Sequence, residues 1–212
     1  MGQQIPNGAQ LQIASVIAAA LTVTAATNAA AAVLTVTNTY AVGDYVEFTS
    51  GWSRATNRVY RLSAASGTSI TLEGLDTTST TLFPAGSGVG TVRKITTWTQ
   101  ILQVMNLARS GGDIQTGNFQ YLENTFETEF STVVSAQAWT FDLADDITLP
   151  GYIAYKAASD LKAQTPMRMI LPSGGILAVT GTPFVNDMPT TEQNNLMMVS
   201  ARFSFAGRVT RY

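Results

Sequence analysis

From Gln10 to Ile95 the chain is a series of short alternating runs. "QLQIASVI" (10–17) predicts a strand, and "LTVTAAT", "AVLTVTNTY", "YVEFTS", "NRVYRLS", "SITLEG" and "VGTVRKI" predict more. They are β-branched or aromatic, and Asn, Gly, Asp or Ser separates most of them. In "YVEFT", Tyr45, Glu47 and Thr49 fall on one face, Val46 and Phe48 on the other. So many short strands in residues 20–95 predict a small closed barrel, with "FPAGSGVG" (83–90) as its last loop.

Beyond Ile95 the runs lengthen. "TWTQILQVMNL" (97–107) and "TVVSAQAWTFDL" (132–143) predict strands. Between them, residues 109–130 are rich in Gly, polar residues and acids and predict a long functional or mobile excursion. "LPGYIAYKAASDLKA" predicts one helix from Pro150 to Ala163, with Pro in its first turn and Thr165-Pro166 as its stop. Ile153, Ala157 and Leu161, at i, i+4 and i+8, are its expected buried stripe. A hairpin follows around Ser173-Gly174-Gly175. The last strand, "LMMVSARFSFAGRV", puts Met197, Val199, Ala201, Phe203 and Phe205 on a dry face and Ser200, Arg202 and Ser204 on a wet one.

Composition narrows the function. The 212 residues are 45% hydrophobic but only 12% charged, with a net charge of −2. The chain holds 30 Thr and 27 Ala, so its surface is built largely from small and hydroxyl side chains. Such a surface suits close subunit contact, because little charge must be desolvated. There is no basic tract, and the first Lys or Arg is Arg54, which argues against adhesion to nucleic acid phosphates. Without Cys there are no disulfides or thiolate metal sites; without His the commonest general base and metal ligand are missing.

The Ala- and Thr-rich segment 13–36 reads as buried β structure and not as a membrane span. "MGQQIPNGAQ" has no cation, against a secretory leader, and Pro6 breaks a myristoylation pattern.

Candidate chemistry is sparse. Asp145-Asp146 is better read as favouring the helix N-terminus than as an acid–base pair. Glu123, Glu127 and Glu129 lack the spacing of a metal loop. "AGSGVG" lacks the Lys-Ser/Thr and the helix of a phosphate cradle. Trp52, Trp98 and Trp139 are too dispersed for a stacking platform and are expected to pack in cores. No catalytic residue, cofactor or metal is assigned.

Taken in order, the elements resemble the major tail tube proteins of long non-contractile-tailed bacteriophages. The resemblance is carried by "IPNGAQLQIAS", by "VGDYVEFTSGW…NRVYRL…TLEGLDTT…FPAG", by "TTWTQILQV" and by residues 151–209. That last stretch runs helix, strand, Pro-x-Gly hairpin, strand, acidic turn, and final strand ending in Gly-Arg. The chain departs from the pattern just before "VGDYVEF", where "TNTYAVGD" stands.

The resemblance implies a mainly β fold: a tail-tube β-sandwich with one flanking α-helix and an inserted small β-barrel. Residues 1–19 and 96–212 would form the sandwich, with strands 10–17 and 97–107 paired, and residues 20–95 the insert. It implies hexameric rings stacked into a tube in the virion tail, assembled in the host cytoplasm, with tail terminator, tape measure and distal tail proteins as partners and no membrane. DNA would pass through the lumen without specific binding.

On that reading Ile114, Phe119, Tyr121, Leu122 and Phe126 make the excursion an inter-ring or inter-subunit loop, loosened by Gly111-Gly112 and Gly117. Glu123, Glu127, Glu129, Asp187, Glu192, Ser200, Arg202 and Ser204 are lumen-facing candidates, with Arg202 neutralised by a carboxylate of its own or an adjacent subunit. The alternatives are a tail terminator or distal tail ring protein, a carbohydrate- or surface-binding module and, last, an enzyme.

Overall fold

A computed structural model describes residues 7–212; the leader and myristoylation readings and the start of segment 1–19 lie outside the described residues. In chain order the elements are β1 (Gln10–Ile17), β2 (Leu21–Val23), β3 (Ala25–Ala26), β4 (Val33–Thr35), β5 (Tyr45–Ser50), β6 (Arg58–Ala65), β7 (Ser69–Leu72) and β8 (Gly90–Ile101). Then come β9 (Val104–Ser110), β10 (Ile114–Phe119), β11 (Thr128–Val134), β12 (Ala138–Ala144), α1 (Pro150–Asp160), β13 (Thr165–Ile170), β14 (Ile176–Val185), β15 (Met198–Phe205) and β16 (Thr210–Arg211). The fold is mainly β, and one antiparallel path joins β3-β4-β7-β6-β5-β8-β1-β13-β14-β15-β12-β9.

The first part of that path closes on itself. β2 pairs with β8, and just beyond Thr24, β3 pairs with β4. The short run Leu21–Ala26 thus changes partner and seals a barrel through β8, β5, β6, β7 and β4. Val46, Phe48, Tyr60, Leu62, Ile70, Leu72 and Val92 fill it. Trp52 plugs one end: its indole N–H donates to the Pro84 carbonyl at 2.8 Å, and its ring leaves no room for a Cβ at Gly88. The other face of β5 is buried as well. Tyr45 packs toward the sandwich, and Glu47, 2% exposed, pairs with Arg93 directly across on β8.

β8 is longer than the pattern predicts. Its first half pairs with β5 and its second half with β1, so the expected pairing of the N-terminal strand holds for residues 95–101. The strand expected at 97–107 is broken at Leu102-Gln103. Gln103 and Asn106 take positive φ, 57° and 52°, and β9 leaves to pair with β12.

The second core gathers Leu11, Ile13, Ile101, Trp139, Phe141, Leu143, Val199, Ala201 and Phe203 with the helix residues Tyr152 and Tyr155. The predicted helical stripe is the wrong one. Ile153 is 53% exposed and Leu161 lies past the helix end, 79% exposed. The buried face is Gly151, Tyr152 and Tyr155. The phenols win because a polar tip can be buried where it finds a partner; the Tyr155 hydroxyl donates to the Arg202 carbonyl at 2.7 Å. Nor does an acid sit in the first helical turn. Asp146 instead accepts from the Thr148 N–H and hydroxyl at 3.0 and 2.6 Å in an Asx turn, bonds that hold its carboxyl below the usual range.

Barrel and sandwich meet over Ala14, Tyr45, Val59, Ile95 and Ala178. Arg168 lies 4.5 Å from the Trp98 ring and 5.0 Å from the Tyr45 ring. The Tyr212 hydroxyl accepts from the Arg61 N–H at 2.7 Å.

Two predictions follow from the packing. A Cβ at Gly151 would overlap the Gln100 carbonyl oxygen and the Ile101 Cα. Gly151→Ala must lift the helix from β8 and is expected to cost about 1–3 kcal/mol, read as a lower midpoint in denaturant unfolding. Burial also pushes the Tyr60 phenol up to about 12 and raises Tyr155 and Tyr212 above the ordinary 10.0. These groups therefore stabilise the fold fully below pH 10, and that contribution is lost as pH climbs toward the folded values. Phenolate absorbance should rise together with loss of the β circular-dichroism signal above pH 10; full phenolate titration with the fold intact would contradict this.

Candidate assembly surface

Residues 109–130 are not an irregular excursion. β10 and β11 pair with each other alone, in register from Ile114↔Val134 to Phe119↔Thr128, and form a two-stranded ribbon. The alternation of Thr, Phe and Val in β11 was hidden by the surrounding acids and glycines. The glycines at the root tighten it. Gly111 and Gly112 take φ of 72° and 93°, the Ser135 hydroxyl accepts from the N–H groups of Gly112 and Asp113, and a Cβ at Gly111 would overlap the Ala136 carbonyl. Gly117 makes space for the Phe130 ring laid across it.

The ribbon has no core of its own. Ile114, Phe119, Tyr121, Leu122, Phe126, Phe130, Val133 and Val134 are all exposed, Leu122 completely. Phe119 packs against Tyr121 and Phe130, with centroids 5.2 and 5.8 Å away, and nothing covers this strip. Isolated hairpins are marginal in water, so such a strip calls for a partner. Glu123, Glu127 and Glu129 lie on the same ribbon, and Glu127 accepts from Asn118 at 3.4 Å.

The second surface is the sheet β14–β15–β12–β9. One face carries Phe141, Val199, Ala201 and Phe203 into the second core, where Phe141 meets Tyr155 of the helix with ring centroids 5.5 Å apart. The opposite face is open and holds Ser200, Arg202 and Ser204, as the alternation predicts, beside Thr140 and Asp142. Asp142 went unread as a site residue. Its two oxygens accept from the Ser200 hydroxyl and the Asn106 amide, each at 3.0 Å. Its alternation with Thr140 was legible; its position across from Ser200 is a matter of register. Arg202 reaches only the Ser204 hydroxyl, at 3.4 Å, and makes no ion pair among the described residues.

Asp187 and Glu192 fall elsewhere, in the loop before β15. Asp187 is bound to Lys156 of the helix at 2.6 Å, and Glu192 accepts from Asn195 at 2.8 Å. The lumen candidates therefore lie on three separate elements and form no single cluster.

The two borders of this sheet differ. Among the described residues, β9 has β12 on one side and no strand on the other. At the β14 border, β13 pairing stops at Gly181. Beyond it Pro183 has no N–H, and the Val185 N–H donates to the Ser159 hydroxyl at 3.1 Å. That border is blunted as protected edge strands are; β9 is not.

Trp52 and Trp139 are buried in the two cores, and Trp98 packs at the joint between them. Among the described residues no group of three or more acids is placed to hold a metal ion, and no helix is long and apolar enough to cross a membrane.

The model of the family described as "Phage tail tube protein, TTP" matches residues 50–212. No curated protein matches the chain. Among solved structures, the chain is similar to one from the anti-feeding prophage baseplate, with a TM-score of 0.40 and 8% identity over 56% of this chain and 85% of that one. It is also similar to a chain of the PVC sheath–tube complex of an extracellular contractile injection system, with a TM-score of 0.35 and 13% identity over 50% and 78%. A chain of the anti-feeding prophage tube-terminating cap gives a TM-score of 0.34 and 15% identity over 50% and 78%. The family match takes in β6, β7 and β8 of the barrel, the ribbon, the helix and the open sheet, and the chain belongs to the phage tail tube protein family.

Proposed function

We propose that this chain, a structural protein of the phage tail, builds the tube itself, as hexameric rings stacked around the channel through which DNA leaves. The observation that carries this is the sheet β14–β15–β12–β9: β14, β15 and β12 turn one face into the second core, the other face is open and carries hydroxyls with Phe184 among them, and among the described residues the outer edge of β9 is unpaired. Side-by-side association at β9 satisfies that edge. In this arrangement the open face of Thr140, Asp142, Ser200, Arg202 and Ser204 lines the channel, and the barrel, treated as an inserted unit of residues 20–95, lies away from it. DNA carries about one negative charge per 1.7 Å, so a lining with one acid, one base and several hydroxyls gives it no array of cations to grip. Arg202 is neutralised by an acid of a neighbouring copy. The tail terminator, tape measure and distal tail proteins are the expected partners, and the reading assigns no catalytic role.

The rival within the tail is a terminator or distal ring, which caps a tube and does not extend it. Electron micrographs of the concentrated protein decide between them. Open-ended tubes support the proposal, closed rings that never stack support the rival, and a strictly monomeric protein removes both.

Replacing residues 114–134 with a short Gly linker removes the ribbon without touching either core. The expected result is a folded chain whose midpoint of thermal unfolding moves by less than about 3 °C, below the effect of 1 kcal/mol at this size, but which no longer stacks. Normal tubes from that variant would refute the ribbon's role.

Thr140→Lys with Ser204→Lys places cations on the open face. Tubes should form, and DNA ejection should slow, most of all at low salt where phosphate contacts are strongest. Unchanged ejection would show that this face does not line the channel.

A further inference from the structure

Charge is segregated along this chain. The ribbon and its root carry Asp113, Glu123, Glu127 and Glu129, and no Lys or Arg occurs between Arg109 and Lys156. The reverse holds where the barrel meets the end of β15. A cavity of about 550 Å³ opens there between Ser53, Arg54 and Thr56 of the barrel, Gln137, and Arg208, over a floor that includes Phe205. Arg58 lies beside it, donating to the Arg54 carbonyl at 3.3 Å, with a buried Nε that has no hydrogen-bond partner. Arg54, Arg58 and Arg208 make no ion pair among the described residues, and no acid follows Glu192. Two guanidiniums, Arg54 and Arg208, thus line one partly apolar cavity, with Arg58 behind them over the Tyr60 ring and bonded to the Thr210 hydroxyl at 3.3 Å, in a chain whose net charge is −2.

The chain's own ribbon tip cannot fill this cavity. Val134 and Ser135, at the ribbon root, line it. From that root six residues of β10 run out paired to β11, on the order of 20 Å at strand rise. Folding back would break that ladder, so an acidic, apolar tip in the cavity has to come from another molecule.

We propose that this cavity is the receptor for the ribbon tip, residues 121–129, of a second copy of the chain. Arg54 and Arg208 receive its carboxylates, and Leu122 and Phe126 cover Phe205 and Val209. Complementary charge selects the partner and its register, while the apolar side chains supply the burial. The inference rests on the self-assembly reading and names the contact that would link successive copies.

The test is charge reversal in the full chain. Arg54 and Arg208 are exposed, so Arg54→Glu with Arg208→Glu leaves both cores intact. That variant should need about tenfold or more protein to assemble, and Glu123→Arg, Glu127→Arg, Glu129→Arg should show the same defect. A chain carrying all five reversals should regain the wild-type threshold. Since the natural chain has no Cys, Leu122→Cys and Ser53→Cys provide a second measurement. Oxidising a mixture of the two should give a covalent dimer that neither gives alone. Wild-type tubes with an unaffected Arg54→Glu, Arg208→Glu variant would overturn this contact and leave the tube reading standing. So would a five-fold reversal that fails to recover, or a mixture without the dimer. A wild-type chain that never assembles would remove both.

Discussion

Strand β8 has to satisfy two sheets at once. Its first half closes the barrel against β2 and β5, and its second half supports β1 and the sandwich. Ile95 is the crossover, in register with both Tyr45 and Ile17. Because one hydrogen-bonded strand spans both parts, barrel and sandwich cannot twist independently. The side chains around it answer that constraint. Arg168 lies over Trp98 and Tyr45, Glu47 pairs with Arg93, and Lys94 meets Asp44 at 2.5 Å. Each cation–ring contact is worth on the order of 1 kcal/mol. The C-terminal Tyr212 adds a bond to the Arg61 backbone.

With the barrel fixed in this way, the rest of the chain divides its surfaces by wetness. The helix lies against β14, β8 and β1, where Tyr155 meets Phe141 of β12, and the other face of β14–β15–β12 is left to Thr140, Asp142, Phe184, Ser200, Arg202 and Ser204. The ribbon stands apart from both cores with its aromatic residues uncovered. The described residues fold around two interiors and still keep an open face, an edge unpaired among them and a sticky ribbon. A lone soluble domain gains nothing from such features, whereas a subunit of a larger assembly uses each of them.

Much of this was legible from alternation alone. "QLQIASVI" and "YVEFTS" became strands with those boundaries, and the faces of β15 were read correctly from Val199 to Ser204, whereas Met197, expected on the dry face, precedes the strand and is exposed. Period-2 patterning survives because it reports a local geometric fact, which side of a pleat each residue takes. The family resemblance drew on the order of such elements and was met by the match over residues 50–212. The site was less legible. Asp142 lies across from Ser200 only because β12 and β15 pair in one register, and Asp187 was lost to Lys156 on a helix far away in sequence.

What the sequence by itself determined was therefore the class of the fold: short strands, one helix and a chain poor in charge. Tertiary structure decided which neighbours those elements met. It turned the helix so that Tyr152 and Tyr155 went inward and Ile153 stayed out, because the Arg202 carbonyl was there to receive a phenol. It broke the expected strand at Gln103, because β9 had to reach β12. It folded an acidic, glycine-rich stretch into a ribbon, because Ile114 and Val134 were brought level by the tight root at Gly111 and Gly112. Pairing and burial are non-local, and alternation along a chain carries no information about the partner on the other side of the sheet.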